Sequence, residues 1–229
     1  MALYAIGDLH LSFGTDKPMD IFGNAWLNHP DRIKEGFKIL NQDDLCIICG
    51  DISWSMSLEE GLEDFRFISE LPGKKIILKG NHDYWWNTVS KMNDFFSKNG
   101  LQGIDFLNNN CYIYKGTAIC GTRGWFYDDK MNADQNKKVF ARETLRLKAS
   151  LEAAGNDCEK ICFFHYPPRY NKFESHDIIS LMNEHNVKKC VYGHLHGEGH
   201  RYAVSGLTEG IDYEPVPADL INFTPKKIN

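Results

Sequence analysis

Residues 74–86 read KKIILKGNHDYWW. An apolar run, Ile76 to Leu78, reaches Gly80 and then delivers Asn81, His82 and Asp83 in a row, followed by Tyr84, Trp85 and Trp86. Turns commonly carry Gly, Asn and Asp. A histidine among them, backed by three aromatic rings, is unusual in a plain turn and asks for partners elsewhere in the chain.

Those partners lie at the ends of similar runs. ALYAIGD (2–8), LCIICGD (45–51), KIILKGN (75–81), KICFFH (160–165) and KKCVYGH (188–194) each read as a buried strand ending on a polar side chain, and CYIYKGTAICG (111–121) reads as a hairpin. Helix-like segments with polar faces fall between them, at about 31–41, 57–70, 87–99, 134–155 and 174–186. This alternation predicts an α/β fold with buried strands. After residue 200 short runs broken by Gly and Pro read as a β meander. No linker, repeat or low-complexity stretch divides the chain, so 1–229 is expected to be one domain.

In open α/β sheets ligands bind beyond the carboxyl ends of the strands, and glycine there lets the backbone turn sharply. Asp8, Asp51, Asn81 and His194 each follow a Gly at such an end, and His165 ends its own strand. Asp8 and His10, like His194 and His196, are two residues apart and would face the same way in extended backbone. Asp8, His10, Asp51, Asn81, His165, His194 and His196 are therefore expected on one rim. Brought together without counter-ions they would leave poorly satisfied polar atoms; divalent cations resolve this, and mixed N/O donors suit Zn²⁺, Mn²⁺ or Fe.

D-x-H, G-D, G-N-H-D, a lone His after a strand and G-H-x-H, in this order over residues 8–196, resemble the calcineurin-like metallophosphoesterases. The resemblance implies a four-layer αββα sandwich, two mixed β-sheets flanked by helices, with a dinuclear metal site at the strand ends. The strand pattern by itself is equally that of a doubly wound sheet. The resemblance also implies that Asp8, His10, Asp51 and His196 hold one of two metal ions (Mn, Fe or Zn), and that Asp51 bridges to a second, held by Asn81, His165 and His194. His82 resembles the family's catalytic histidine, stabilising or protonating the leaving oxygen, a task that near-neutral titration suits. The implied activity is phosphoester hydrolysis by a metal-bridged hydroxide, on a phosphodiester or small nucleotide-like substrate. The alternatives are a phosphomonoesterase or a non-catalytic scaffold of the same fold.

In the family's protein phosphatases, G-D is followed by an Asp that orients the catalytic histidine and an Arg that grips phosphate. Here Trp54 and Ser55 stand at those places, so His82 is expected to be oriented by another group. Asp83 reads as a support for the turn. The aromatics near the rim (Trp54, Tyr84, Trp85, Trp86, Trp125 and Tyr166) read as core packing beneath the loops, with Trp54 and Tyr84 the candidates to line a substrate pocket instead, and residues 11–30 are expected to form a rim loop. Arg123 and Arg169 read equally as phosphate contacts or salt-bridge partners. His29, His176 and His185 read as surface residues, and His200 exceeds the ligand count.

Composition narrows the partners. A net charge of −5, with only short basic clusters, disfavours long nucleic acid and leaves a small-molecule phosphoester as the expected substrate. The opening MALYAIGDLH has no basic segment or cleavage site and no apolar run could cross a membrane, so a cytoplasmic protein is expected. The odd count of cysteines, most of them in apolar runs, reads as buried thiols, with Cys46 and Cys49 on opposite faces of one strand.

Overall fold

The computed structural model describes residues 1–126 and 131–229. Its first sheet orders β1 (Leu3–Ile6), β2 (Leu45–Ile48), β3 (Lys74–Ile77) and β4 (Ile104–Phe106) side by side and parallel, with β13 (Lys226–Lys227) antiparallel on β1. The second carries β6 (Thr117–Thr122), β7 (Glu159–Phe164), β10 (Lys189–Tyr192) and β12 (Ile211–Pro215) in parallel. Two antiparallel edges close it, β5 (Tyr112–Tyr114) on β6 and β11 (Gly206–Thr208) on β12. A short hairpin, β8 (Arg169–Tyr170) and β9 (Phe173–Glu174), stands apart.

Side-chain alternation sorts these strands into layers. Leu3, Ala5, Leu45, Ile47, Cys49 and Ile76 from the first sheet meet Ile119, Ile161, Phe163 and Val191 from the second. On its other face the first sheet turns Ile6, Cys46, Ile48 and Ile77 toward α1 (His29–Gly36), α2 (Leu62–Glu70) and α3 (Val89–Lys98), which contribute Ile33, Phe65, Ile68, Met92 and Phe96. The second sheet turns Cys120, Cys162, Phe164, Cys190 and Tyr192 toward α4 (Ala133–Ala153) and α5 (His176–Glu184), through Leu147, Leu151, Ile178 and Met182. Strands covered on both faces read as continuous apolar runs, which is why they stood out in the sequence. The result is two mixed sheets flanked by helices. Cys46 and Cys49 do face opposite sides, and both are free, buried thiols.

One expectation is corrected. The residues after 200 do not form a meander: β11 and β12 extend the second sheet while β13 pairs with β1 in the first, so the C-terminal chain joins both sheets. β4 and the β8–β9 hairpin went unread because each is too short to show a period. Lys75, charged within an apolar run, is buried because its Nζ donates to the carbonyls of Leu71 (2.7 Å) and Gly73 (2.8 Å), satisfying acceptors left over past the end of α2.

Asp83 is the most heavily used carboxylate in the loops above the first sheet. It is fully buried and accepts from the backbone N–H groups of Gly80 (2.7 Å), Asp51 (2.9 Å), Ile52 (2.9 Å) and Ser53 (3.3 Å), and from the Trp85 indole (3.0 Å). One side chain thus ties the loop after β3 to the loop after β2. Replacing it strands buried donors, each costing about 1–3 kcal/mol. We expect Asp83→Ala to lower the urea unfolding free energy by about 4 kcal/mol or more, the sum of several such losses. A loss below about 1 kcal/mol would show that the clamp carries no stability.

Candidate metal centre

All the strand ends singled out in the sequence converge. The loops after β1 and β2 run side by side, with Asp8 N–H donating to Gly50 O (2.9 Å), His10 N–H to Asp51 O (2.9 Å) and Leu11 N–H to Ile52 O (2.9 Å). Asp8, His10 and Asp51 are not in extended backbone, although the spacing of Asp8 and His10 suggested it. Their φ values are 62°, 47° and 51°, and that of His194 is 73°. The pairs converge because the chain turns through left-handed residues, a strained conformation held by the surrounding hydrogen bonds. The neighbouring glycines allow close approach: a Cβ on Gly80 would lie 2.1 Å from both Asp51 N and Oδ1.

The two sheets are stitched at this rim. Asp8 accepts from the His194 N–H (2.9 and 3.1 Å), and the His165 ring reaches Cys49 O at 3.0 Å. A carbonyl only accepts, so His165 Nδ1 carries the proton and Nε2 presents a lone pair. That lone pair faces Asn81 Oδ1 at 2.7 Å, His194 Nδ1 at 3.1 Å and Asp51 Oδ2 at 3.5 Å. A similar crowd surrounds His196, whose Nε2 lies 3.3 Å from both His10 Nε2 and Asp8 Oδ1, with Asp51 Oδ2 3.7 Å from His10 Nε2.

Electron-rich atoms at hydrogen-bond distance need something positive between them. Burial pushes Asp51 well above the ordinary carboxylate range, with Asp83 and Asp8 adding to the rise. Burial also drives His10 and His165 well below the imidazole range, and His194 down to about 3. His196 goes the other way: burial would lower it, but Asp8 and Asp219 carry it up to about 10. A proton on His196 is thus the relief that the protein alone supplies. A divalent cation favours charged carboxylates and neutral imidazoles together, and the donor set fits one. Ligand atoms of Asp8, His10 and His196 lie within 4.8 Å of one another, as do those of Asp8, Asp51 and His165. Imidazole, carboxylate and amide donors suit Mn, Fe or Zn alike.

His82 borders this cluster. Its N–H donates to Asp51 Oδ1 (2.8 Å), and its ring packs 4.3 Å from Trp54. Among the described residues its Nδ1 is buried without a hydrogen-bond partner, so packing against Trp54 orients it where the phosphatases use a carboxylate. Burial lowers its pKa to about 4, with Lys17 and His196 adding to the drop. The expectation that near-neutral titration suits it to proton donation is therefore not met in this setting.

The other residues singled out divide. Trp54 stacks on His10 at 5.0 Å and 22°, and the Lys17 Nζ sits 3.9 Å from its ring centre. Tyr84 is 54% exposed and touches His82 only edge-on, whereas Trp85 is fully buried in the core. Arg123 points at the buried Glu143 (3.4 Å), and Arg169 pairs with Glu174 (2.6 Å) and Glu209, so both read as structural ion pairs. His29 is a correction: it is buried, with Nε2 3.3 Å from His10 O.

Two residues went unread. Asp219 accepts from His196 Nδ1 at 2.8 Å and from Gly197 N–H at 3.1 Å, and lies 3.2 Å from His200 Nε2. As a lone acid in VPADL it carried no spacing signal. Trp26, in the loop read over 11–30, packs edge-on against His10 (5.6 Å) and His196 (5.4 Å).

The family model of the calcineurin-like phosphoesterases matches residues 1–198. Among solved structures the chain is similar to a phosphopantetheinyl hydrolase from Mycobacterium tuberculosis, with a TM-score of 0.60 at 14% identity over 99% of this chain and 95% of that one. It is also similar to a protein from Thermus thermophilus, with a TM-score of 0.56 at 14% identity over 99% and 97%. A third is a protein of unknown function from Aquifex aeolicus, with a TM-score of 0.51 at 16% identity over 99% and 95%. At such identities these likenesses speak for the fold alone. No curated protein matches the sequence. With a family match over most of its length and the family's motifs gathered at one rim, the chain belongs to the calcineurin-like phosphoesterase family, whose members are metal-dependent.

Proposed function

We propose that the chain is a dinuclear-metal phosphohydrolase acting on a phosphodiester. Asp8, His10, Asp51 and His196 would hold one ion and Asp51, Asn81, His165 and His194 the other. The observation that carries this is the bare Nε2 of His165, fixed by Cys49 O and facing an amide oxygen and a carboxylate oxygen. Two such ions, when bound, lower the pKa of water and offset charge on the phosphoryl oxygens.

The chain's own residues do the positioning. Asp219 holds His196 by Nδ1 and Cys49 O holds His165, so both rings keep Nε2 aimed at the cluster. His82, kept neutral at pH 7 by a pKa near 4, has no proton to release as an acid. It acts as a hydrogen-bond donor to the departing oxygen, and added cations would only lower its pKa further. Trp26 and Trp54 pack against His10 and give that flank an apolar surface. A dianionic monoester would ask for more positive charge than a diester. Arg123 and Arg169 are both committed to carboxylates, which favours the diester. A small nucleotide-like diester is the substrate type suggested by the sequence.

The first test is Mn²⁺-dependent hydrolysis of bis-p-nitrophenyl phosphate beside p-nitrophenyl phosphate. Diester cleavage should exceed monoester cleavage and vanish in Asp51→Asn. Monoester preference would reassign the chain as a phosphomonoesterase, and two bound ions without turnover on either would favour the scaffold reading. His82→Ala should lose about 10²–10³-fold in kcat, the scale for one positioned donor, and lose more with an alkyl leaving group than with nitrophenolate. With His82 neutral above about pH 4, the kcat profile between pH 5.5 and 8 should keep its shape in that variant. A wild-type limb near 6.5 that the variant lacks would sink the neutral role. Asp219→Asn should weaken Mn²⁺ binding, read by calorimetry, by about 10–100-fold while leaving the fold intact. Unchanged affinity would remove Asp219 from the positioning scheme.

A further inference from the structure

The cluster opens on one flank into a cavity of about 450 Å³, within the range of ligand-binding pockets. Its catalytic side is formed by His10, His82 and His196, so it is continuous with the place where a phosphoryl group would sit. Its outer wall comes from the segment between β1 and α1, as Met19, Phe22, Ala25 and Trp26, with Trp54 beside them. Short 3-10 turns at Met19–Phe22 and Asn24–Trp26 carry that wall.

The chemistry of the wall limits what can enter. Most of its surface is apolar, and the His10 and His82 nitrogens that lack a hydrogen-bond partner among the described residues lie at its metal-cluster end. Asp219 accepts from His196 and Gly197, and the Trp54 indole N–H points at Met19 Sδ at 3.1 Å. The Trp54 ring is covered by His10 and Lys17. A sugar or base edge in this cavity would give up hydrogen bonds to water and find few in return, at a cost that specific sites avoid. An apolar group would gain from leaving water. Phe22 stands 58% exposed at the lip.

We infer that the segment 11–28 makes this site selective for phosphoesters bearing an apolar substituent, aryl or short alkyl, which lies in the cavity while the phosphate occupies the cluster. This rests on the phosphohydrolase reading and names the substrate class of that site. The polar substituent of a nucleotide is the occupant that the wall disfavours.

The test is calorimetric binding of methylphosphonate and 1-naphthylphosphonate to the Mn²⁺-loaded and metal-free full-length protein. Ala25→Trp, which fills the cavity, and Phe22→Ser, which removes the lip, serve as variants because both positions are exposed and lie outside the buried core. Methylphosphonate binding that requires Mn²⁺ reports on the phosphoryl site alone, and its absence would count against the phosphohydrolase reading, not the cavity. For the cavity, the naphthyl compound should bind wild type at least about tenfold tighter than the methyl one, as expected for burying an aromatic ring. That ratio should fall to within about twofold in Ala25→Trp and drop in part in Phe22→Ser, tracking the apolar area removed. A wild-type ratio near one, or a ratio unchanged in Ala25→Trp, overturns the inference. Where methylphosphonate fails to bind, naphthylphosphonate binding lost in Ala25→Trp still upholds the apolar site, and binding that is absent or unaffected overturns it.

Discussion

Nitrogen and oxygen atoms of the ligand type crowd together at the rim of this molecule, relieved by a proton on His196, and most of what surrounds them exists to keep them there. His165 Nε2 faces Asn81 and Asp51, and His196 Nε2 faces Asp8 and His10, at separations of 2.7 to 3.5 Å. Left to relax, such atoms would turn away. They are held because each ring is gripped from behind, His165 by a backbone carbonyl and His196 by Asp219. The carboxylates are gripped too, Asp8 by the His194 N–H and Asp51 by that of His82. Burial makes the arrangement costly for the protein alone, which is why Asp51 is driven up and the histidines, apart from His196, are driven down.

Behind that ring of groups stands Asp83. It binds metal in neither the proposed scheme nor the geometry, yet it fastens the loops that carry Asp51 and Asn81 through five N–H donors. Asn81, His82 and Asp83 therefore serve three purposes in three consecutive residues. One side chain faces the cluster, one borders it, and one locks the loop that presents them. Trp85 completes the last role by donating its indole N–H to Asp83 while filling the core beneath.

Trp54 marks where this chain departs from the phosphatase pattern. An aromatic ring stands where a carboxylate would orient the catalytic histidine, and it packs against His10 and His82 together. Exchanging a hydrogen bond for ring packing removes a partner that would raise the His82 pKa, and leaves desolvation to lower it. It also turns one flank of the site apolar, a character that Trp26 and Met19 extend.

Much of this was legible in the chain because it is written locally. Apolar runs of strand length, four ended by a glycine and a polar side chain and one by His165 itself, reported both the buried parallel strands and the rim at their ends, and helices longer than two turns showed their period. The ligand types followed in order along residues 8–196. What the sequence could not show was decided by contacts between distant segments. Asp219 reaches His196 because β12 lies beside β10, and Trp26 reaches the cluster because its loop folds back over β1. The left-handed backbone at Asp8, His10 and Asp51 is favourable only inside the hydrogen bonds that two neighbouring loops give each other. Residue types and their order follow from the sequence by itself; which lone pair faces which, and what charge each group bears, depend on burial and neighbours and so belong to the tertiary structure.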